Sequence, residues 1–391
     1  MNTSGNVDTQ ENSISNAREK VLTYWPFSVF SRVHLKKDPG AIPEAFFMLG
    51  YDSVLVTGKI SEDAKLGVRH FETGNVGRRS FKTYCRETVT TLRYLHSENA
   101  QLNIFFNWSN LNTVIAILFK FSKILHLKKS VTGRLVLKMD SDGSYLVGKR
   151  SFGKFVYASL LVLNSFIFDK LIIESSCGKD IIRRYTVNPG KVAVVGNGIS
   201  KKIYPLDYLA QKFPIVLSVG RISREKGTDL TIGAFARAQK NHKNWTLEIV
   251  GPINDQEYFS ELTSLVKEFK LDESIKFLGE IGDHELVEKL NKSWIFCSLS
   301  REEGFSIARL EALHFGLLTI ITEAGCGKDL EKYGATVVKI NDLDAAAIEL
   351  SKGMKKFQHM NDTVKNNIAI PGWEDVALEI LIQSNIVGQV W

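Results

Sequence analysis

Cysteine is scarce: the chain of 391 residues has four, Cys85, Cys177, Cys297 and Cys326, with no Cys-x-x-Cys and no cysteine–histidine group at zinc spacing. That scarcity excludes a disulfide-stapled scaffold and a structural zinc module, and predicts reduced thiols in a cytoplasmic setting. The histidines His70, His126, His284 and His314 are scattered and form no metal-spaced pair. Long apolar runs are missing too. The longest, residues 155–168, is interrupted by Ser159, Asn164 and Ser165 and falls short of the ~20 residues that cross a bilayer. It predicts a buried or an interfacial helix. Residues 1–16 are polar and acidic where a signal peptide is basic and then apolar, so they read as a disordered tail with no export signal. No Gly-x-Ser-x-Gly elbow and no Walker loop occurs, which leaves hydrolase and P-loop chemistry without support.

What is present exceeds the ~250 to 300 residues at which single cores stop growing, so two domains are expected. The formal net charge of +7 hides a split, with 27 basic against 16 acidic residues in 1–200 and 23 against 27 in 201–391. A first half of about +11 suggests an anionic partner, nucleic acid or a membrane surface, or else a merely solvated basic face. In 114–129, Val114, Ile115, Leu118, Phe121 and Leu125 recur at helical spacing, with Lys120, Lys123, Lys128 and Lys129 near the end. This is the pattern of a basic amphipathic helix, which either touches a membrane or packs on a core with a solvated lysine edge. Clustered cations with interleaved aromatics, as nucleic-acid binding requires, are not found: Phe119, Lys120 and Phe121 are too few.

After residue 210 short β-branched runs alternate with longer amphipathic ones. Strands are predicted at 215–219, 246–250, 275–278, 294–299, 318–321 and 336–339, with helices at 228–240, 256–270, 284–292, 305–315 and 342–354. That is the grammar of an open parallel sheet, which binds ligands at the carboxyl ends of its strands. The first half repeats it less regularly at 53–57, 102–106, 134–138, 170–174 and 192–195. Two α/β domains follow, with the boundary in 200–212 after the turn residues Gly196, Asn197 and Gly198. The expected division is a tail at 1–16, a first domain at 17–202, a second at 203–371 and a terminal helix at 372–391 that packs back on the first domain.

Two segments carry chemistry. Gly220-Arg221-Ile222-Ser223-Arg224-Glu225-Lys226-Gly227 lies between a strand and a helix. Glycine there permits close backbone approach, and Arg221 and Lys226 are placed to clamp a diphosphate. The other, Glu303-Gly304-Phe305-Ser306-Ile307-Ala308-Arg309-Leu310-Glu311, also follows a strand and opens a helix. Glu303 in the loop and Glu311 two turns into the helix would border one crevice at different depths, with free amides of the first turn between them as an anion site. For either segment alone, the simpler reading is a solvent-facing basic loop or a helix carboxylate satisfied by its neighbours.

Together these segments resemble the family 4 glycosyltransferases, retaining enzymes of the GT-B architecture. The resemblance covers most of 169–385. It rests on the order of several elements: 169–175, Asn197-Gly198-Ile199, Gly220-Arg221 with Glu225-Lys226-Gly227, Phe277-Leu278-Gly279, the Glu303-to-Glu311 motif with Ala312 and Gly316, and Trp373-Glu374. It implies two Rossmann-like domains with parallel sheets facing across a cleft, a nucleotide diphosphate-sugar as donor substrate held by the second domain, no cofactor and no metal. Arg221 and Lys226 resemble the diphosphate clamp that steadies the departing nucleotide, and Glu303 the glutamate on the donor sugar. Phe305, Ser306 and Ile307 resemble the amides beside the phosphates, Glu311 the ribose ligand, and the loop from Gly279 the main-chain contact to the base. Ser306 stands where the family usually has glycine.

The first domain departs from the family. No histidine follows the middle strand; that strand runs into Lys138, Met139 and Asp140, and a subset of similar transferases carries Lys-x-Asp here. Lys138 and Asp140 are therefore the candidates for cleft-facing catalytic residues. Asp140-Ser141-Asp142 also spells a magnesium- or manganese-binding motif of the other large glycosyltransferase architecture, although its distance in sequence from the clamp argues for a turn or a sugar contact instead. The implied activity is transfer of a sugar to a hydroxyl of a glycan or lipid-linked acceptor. A nucleotide-sugar epimerase and a non-catalytic donor-binding subunit are the competing readings. An anionic membrane surface is the partner that the basic first half and its apolar runs suggest, with a peripheral cytoplasmic location.

Overall fold

Parallel strands buried on both faces read as near-continuous apolar runs, and Leu102-Asn103-Ile104-Phe105-Phe106 is such a strand, buried at every residue. A computed structural model describes residues 18–74, 80–106, 110–124, 133–140, 143–147, 151–206, 210–358 and 369–387. The tail expected at 1–16 lies outside them, as do Ser141 and Asp142 and the end of the basic amphipathic run at 125–129. Seven parallel strands form the first sheet: β1 (Lys20–Phe30), β2 (Asp52–Ile60), β3 (Arg69–Glu72), β4 (Leu102–Phe106), β5 (Arg134–Met139), β6 (Lys170–Ile173) and β7 (Val192–Val194). Their order is β3-β2-β1-β4-β5-β6-β7. The second sheet has β8 (Phe213–Val219), β9 (Thr246–Val250), β10 (Ile275–Gly279), β11 (Ser293–Ser298), β12 (Leu318–Thr322) and β13 (Thr336–Val338), again all parallel, in the order β10-β9-β8-β11-β12-β13.

Helices cover both sheets. Those of the first are α1 (Asp38–Met48), α2 (Phe81–Glu98), α3 (Asn110–Ile124), α4 (Phe152–Ile167) and α5 (Ser176–Ile182). Those of the second are α6 (Thr228–Gln239), α7 (Gln256–Glu268), α8 (Asp283–Lys292), α9 (Ile307–His314) and α10 (Leu343–Gln358). Side-chain oxygens mark several starts, each accepting an orphan amide of the first turn: Ser80 from Thr83, Ser151 from Lys154, Ser175 from Gly178 and Asp255 from Tyr258.

Every strand and helix expected after residue 210 is present, with ends moved by a few residues. Two strands of the first sheet escape the sequence pattern. β1 is central, yet its sequence contains Pro26, which argues against a central strand. The resolution is a shift of register against β2 between Trp25 and Val29, while pairing with β4 stops at Tyr24. β3 is a four-residue edge strand, mostly exposed, and carries no apolar alternation.

The chain crosses between the sheets twice. After β7 it leaves the first, and after α10 it returns as α11 (Trp373–Gln383), whose Trp373, Val376, Ala377, Ile380 and Leu381 share a core with Phe30, Ile42 and Phe46. The two crossings touch. Ile199 donates its amide to the Pro371 carbonyl at 3.0 Å, and a Cβ on Gly198 would lie 2.6 Å from the Gly372 carbonyl, so only glycine fits there. Strand order reverses between β1 and β4 in one sheet and between β8 and β11 in the other, and such switch points open a crevice at the carboxyl ends of the strands. Trp373→Ala should lower unfolding free energy by about 3–5 kcal/mol in urea melts, the usual cost of emptying a buried tryptophan site. Exposed Glu374→Ala is the control and should stay within about 0.5 kcal/mol; equal stability of both variants would show that α11 is only loosely docked.

Candidate active site

The loops after β8 and β11 emerge side by side at the second sheet's switch point. Gly227 has φ +62°, and a Cβ there would lie 2.1 Å from the Leu299 carbonyl, so glycine lets the loops abut. The amides of Arg301 and Glu302 both donate to the Glu225 carbonyl, at 2.8 and 3.2 Å. Arg301 grips Asp229 through two bonds of 2.8 and 2.6 Å, and Asp229 also accepts the Tyr258 hydroxyl at 2.5 Å. Arg309, fully buried in α9, donates to the carbonyls of Ser298, Thr322 and Ala324 and so fixes the ends of β11 and β12. Lys226 and Glu303 meet on this scaffold. The ammonium donates to Glu303 Oε1 at 2.7 Å, and Ser300 Oγ donates to Oε2 at 3.2 Å. Arg221 is exposed and has only Glu225, at 3.4 Å, as an ion partner among the described residues.

These groups wall a cavity of about 650 Å³ between the domains, lined on this side by Gly220, Arg221, Lys226 and the run Glu303-Gly304-Phe305-Ser306-Ile307-Ala308. The last three residues open α9, so the positive end of the helix dipole sits in the wall. Two cations and a helix N-terminus beside one carboxylate suit a phosphate group that carries a hydroxyl-bearing neighbour.

The opposite wall belongs to the first domain and contains Trp25, His34, Lys37, Asp38, Asp140, Glu174 and Asn197. Beneath it lies Lys138, 1% exposed, which donates to Asp38, to Glu174 Oε1 at 2.9 Å and to Asn197 Oδ1 at 3.1 Å. Asn197 Nδ2 donates to Glu174 Oε1 at 3.1 Å. Although burial opposes the charge, Asp38 and Glu174 hold the Lys138 ammonium above the usual lysine range. Burial pushes the Glu174 carboxyl up to about 7 against the pull of Lys138, with Asp38 and Asp140 adding to the rise. Burial and then Asp38 raise Asp140 as well. His34 Nδ1 accepts the Ser31 amide at 3.0 Å, which leaves the ring proton on Nε2, and its ring centroid lies 4.4 Å from that of Trp25. Burial and then Lys37 lower the His34 pKa, so the ring is neutral near pH 7.

The structure therefore brings Gly220, Arg221, Lys226, Glu303, Gly304, Phe305, Ser306 and Ile307 together with Asp140 around one space. It does not expose Lys138 to that space. A lysine whose protons all go to Asp38, Glu174 and Asn197 is spent on holding the wall, which corrects the expectation of a cleft-facing ammonium. Gly279 and Glu311 lie outside the cavity lining. Gly279 ends β10 with φ +69°, and Glu311 is buried, its carboxyl raised by burial while the Tyr204 hydroxyl bonds to it. Asp38, Glu174, Asn197, Trp25 and His34 were not singled out from the sequence as site residues. Asn197-Gly198 reads as turn chemistry, and Glu174 as the polar end of a strand; only the Lys138 bonds reveal their shared purpose.

Removing the ammonium tests that assignment. Lys138→Met should cost about 3–5 kcal/mol near pH 8, because Glu174 remains buried without its partner. The folded pKa of Glu174, already raised by burial, then loses the opposing pull of Lys138 and lies further above the unfolded one, so stability is lost as pH rises through it, and the deficit should shrink toward about pH 5. A deficit that does not change with pH would sink the assignment.

Two parallel α/β domains that face each other across a diphosphate-suited cleft define the GT-B glycosyltransferase architecture. Residues 207–369, within the second domain and the segment that follows it, match the family Glycosyl transferases group 1. One relative, 27% identical over 60% of this chain and 61% of its own length, is the N-acetylgalactosamine-N,N'-diacetylbacillosaminyl-diphospho-undecaprenol 4-alpha-N-acetylgalactosaminyltransferase of Campylobacter jejuni. A second, 25% identical over 52% of this chain and 53% of its own length, is the GDP-mannose:cellobiosyl-diphosphopolyprenol alpha-mannosyltransferase of Xanthomonas oryzae. The matches thus span between half and two thirds of these relatives. Among solved structures, Anabaena HepE in complex with UDP and glucose shares the fold, with a TM-score of 0.64 and 17% identity over 94% of this chain and 95% of that one.

Proposed function

We propose that the protein transfers a sugar, with retention of anomeric configuration, from a nucleotide diphosphate-sugar to a hydroxyl of a lipid-linked or polysaccharide glycan. The observation that carries this reading is the single cavity shared by Arg221, Lys226, Glu303 and the first turn of α9, with Asp140 facing them from the other domain. In the proposed reaction Arg221, Lys226 and the amides of α9 hold the donor's diphosphate. They are worth most when the glycosidic bond breaks and charge builds on the leaving nucleotide. Glu303, steadied by Lys226 and Ser300, accepts hydroxyl hydrogens of the sugar. Glu311, held by the Tyr204 hydroxyl, takes the ribose, and the loop from Gly279 the base. Asp140 and its neighbours receive the acceptor hydroxyl on the face the diphosphate leaves. The cations take the place of a metal in this scheme, so turnover should survive chelation by EDTA.

Lys226→Ala should lower kcat about 100-fold, the usual loss when one preorganised charge partner of the leaving group is removed, with the melting temperature nearly unchanged. A donor screen with and without crude lipid-linked acceptor, read as nucleotide release by mass spectrometry, supplies the assay. Full activity of the variant would remove the clamp from the mechanism.

The acceptor reading extends to a surface. Lipid-linked acceptors appear in the names of both curated relatives, and no described helix is long and apolar enough to cross a membrane. Two packed helices of the first domain turn apolar side chains to solvent instead. Phe152, Phe155 and Phe166 of α4 are 82%, 69% and 61% exposed, and Val114, Leu118 and Phe121 of α3 continue the face. The run at 155–168 is therefore half core and half surface, with Leu161 and Ile167 inward. We place this face against an anionic membrane on the cytoplasmic side, where aromatic insertion adds to the attraction of the basic first half. The protein should co-sediment with phosphatidylglycerol vesicles at low salt and less at high salt. A Phe155→Asp, Phe166→Asp double variant should bind roughly tenfold more weakly or worse; undiminished binding would return α4 to ordinary solvent-exposed surface.

A further inference from the structure

A second cavity, of about 390 Å³, lies beside the first and shares Glu174, Asn197 and Phe305 with it. Three parts of the molecule build it: the ends of β6 and β7, the segment around Asp329 and Tyr333 after β12, and the start of α11 with Asp375 and Glu379. The domains are joined at its rim, where Asp329 accepts the Ser176 amide at 2.8 Å and its hydroxyl at 2.5 Å. Gly196 and Phe305 touch across the partition, since a Cβ on Gly196 would lie 3.0 Å from the Phe305 ring.

Charge decides what such a space can hold. Glu174, Asp329, Asp375 and Glu379 line it, against one cation, Lys332, whose ammonium lies 4.8 Å from the centroid of the Tyr333 ring. Glu174 is held by Lys138, so a second phosphate or nucleotide would meet the other three carboxylates, Asp329, Asp375 and Glu379, and be repelled. Carboxylates and an amide that accept hydroxyl hydrogens, beside the apolar rings of Phe305 and Tyr333, suit a neutral saccharide, which is polar at its edges and apolar on its faces. Glu379 keeps accepting capacity beyond its 2.7 Å bond from Gln383. The shared wall puts such a sugar one residue from the central cavity.

We infer that the second cavity is an acceptor subsite, which holds a neutral sugar unit next to the one that is glycosylated. The inference rests on the glycosyl-transfer reading. Acceptor glycans thus enter from the side of the hinge crossings, and the subsite selects for uncharged units.

Saturation-transfer NMR tests this with maltose, cellobiose and N,N'-diacetylchitobiose as probes, on the full chain with GDP or UDP present, the nucleotide's own signal being read in the same sample. At least one disaccharide should bind the wild type, and Tyr333→Ala and Glu379→Gln should each raise its dissociation constant roughly tenfold, leaving nucleotide affinity unchanged. Two variants at sites that are not fully buried guard against misfolding of either. Absence of disaccharide binding while a nucleotide binds would overturn the subsite and leave the transfer reading intact. Disaccharide binding unaffected by both variants would also overturn it, because the sugar would then sit elsewhere. Loss of nucleotide binding in the wild type would count against the transfer reading itself.

Discussion

The Lys138 ammonium, 1% exposed, ties together the carboxyl-end region of the first sheet. Its three partners come from separate places in the chain: Asp38 starts α1, Glu174 follows β6, and Asn197 follows β7. Each partner is also a wall of the central cavity. A buried cation of this kind is a poor source of net stability compared with an apolar core, since desolvation offsets most of the attraction. What it provides is a fixed geometry. Three acceptors in a low-dielectric site must all reach one ammonium, and that requirement sets how the β6 and β7 ends stand relative to α1.

The second domain solves the same problem with no lysine as deeply buried as Lys138 among its described ion pairs. Backbone does most of it: Gly227 against Leu299, and Gly325, with φ +61°, whose Cβ would lie 2.1 Å from the Gly304 carbonyl. Arg301 and Arg309 then clamp carbonyls and carboxylates on either side of the loops. Lys226 and Arg221 are left at the surface of the cavity rather than under it, which is where charges must lie if they are to meet a ligand. The contrast between a structural lysine below one wall and a ligand-facing lysine in the other comes from the partners each has, not from the residue type.

That contrast explains what could be read from the sequence. Strands 246–250 and 102–106 were legible to the residue because apolar periodicity records burial, and the clamp and the Glu303 segment because they are local and contiguous. β1 was not legible, since Pro26 breaks the pattern in a strand whose register shift makes room for it. Lys138 was legible as a position but not as a role: the partners that bury it lie 36 to 100 residues away. His34 was missed for a different reason: its partners Ser31 and Trp25 are local, but no sequence pattern marks the turn that carries it as part of the cleft. The first domain lacks a histidine after its middle strand, yet the turn after β1 delivers one to the cavity beside Trp25.

The uneven charge of the chain also gains a location. Little of the excess of about eleven positive charges in the first half is free on that domain's cleft wall: Lys37 is its one lining cation among the described residues, and Lys138 beneath it is taken up by Asp38 and Glu174. The first domain thus offers the cleft no cation pair like the one in the second. Under the proposed function this arrangement sorts the two diphosphates of the reaction. The donor's is drawn to Arg221, Lys226 and α9, on the second domain's side. A diphosphate on a lipid carrier finds no matching clamp on the first domain's wall, so the acceptor is received there through its sugars. A domain that presented its cations inside the cleft would lose that distinction, because the acceptor's diphosphate would compete for the donor's site.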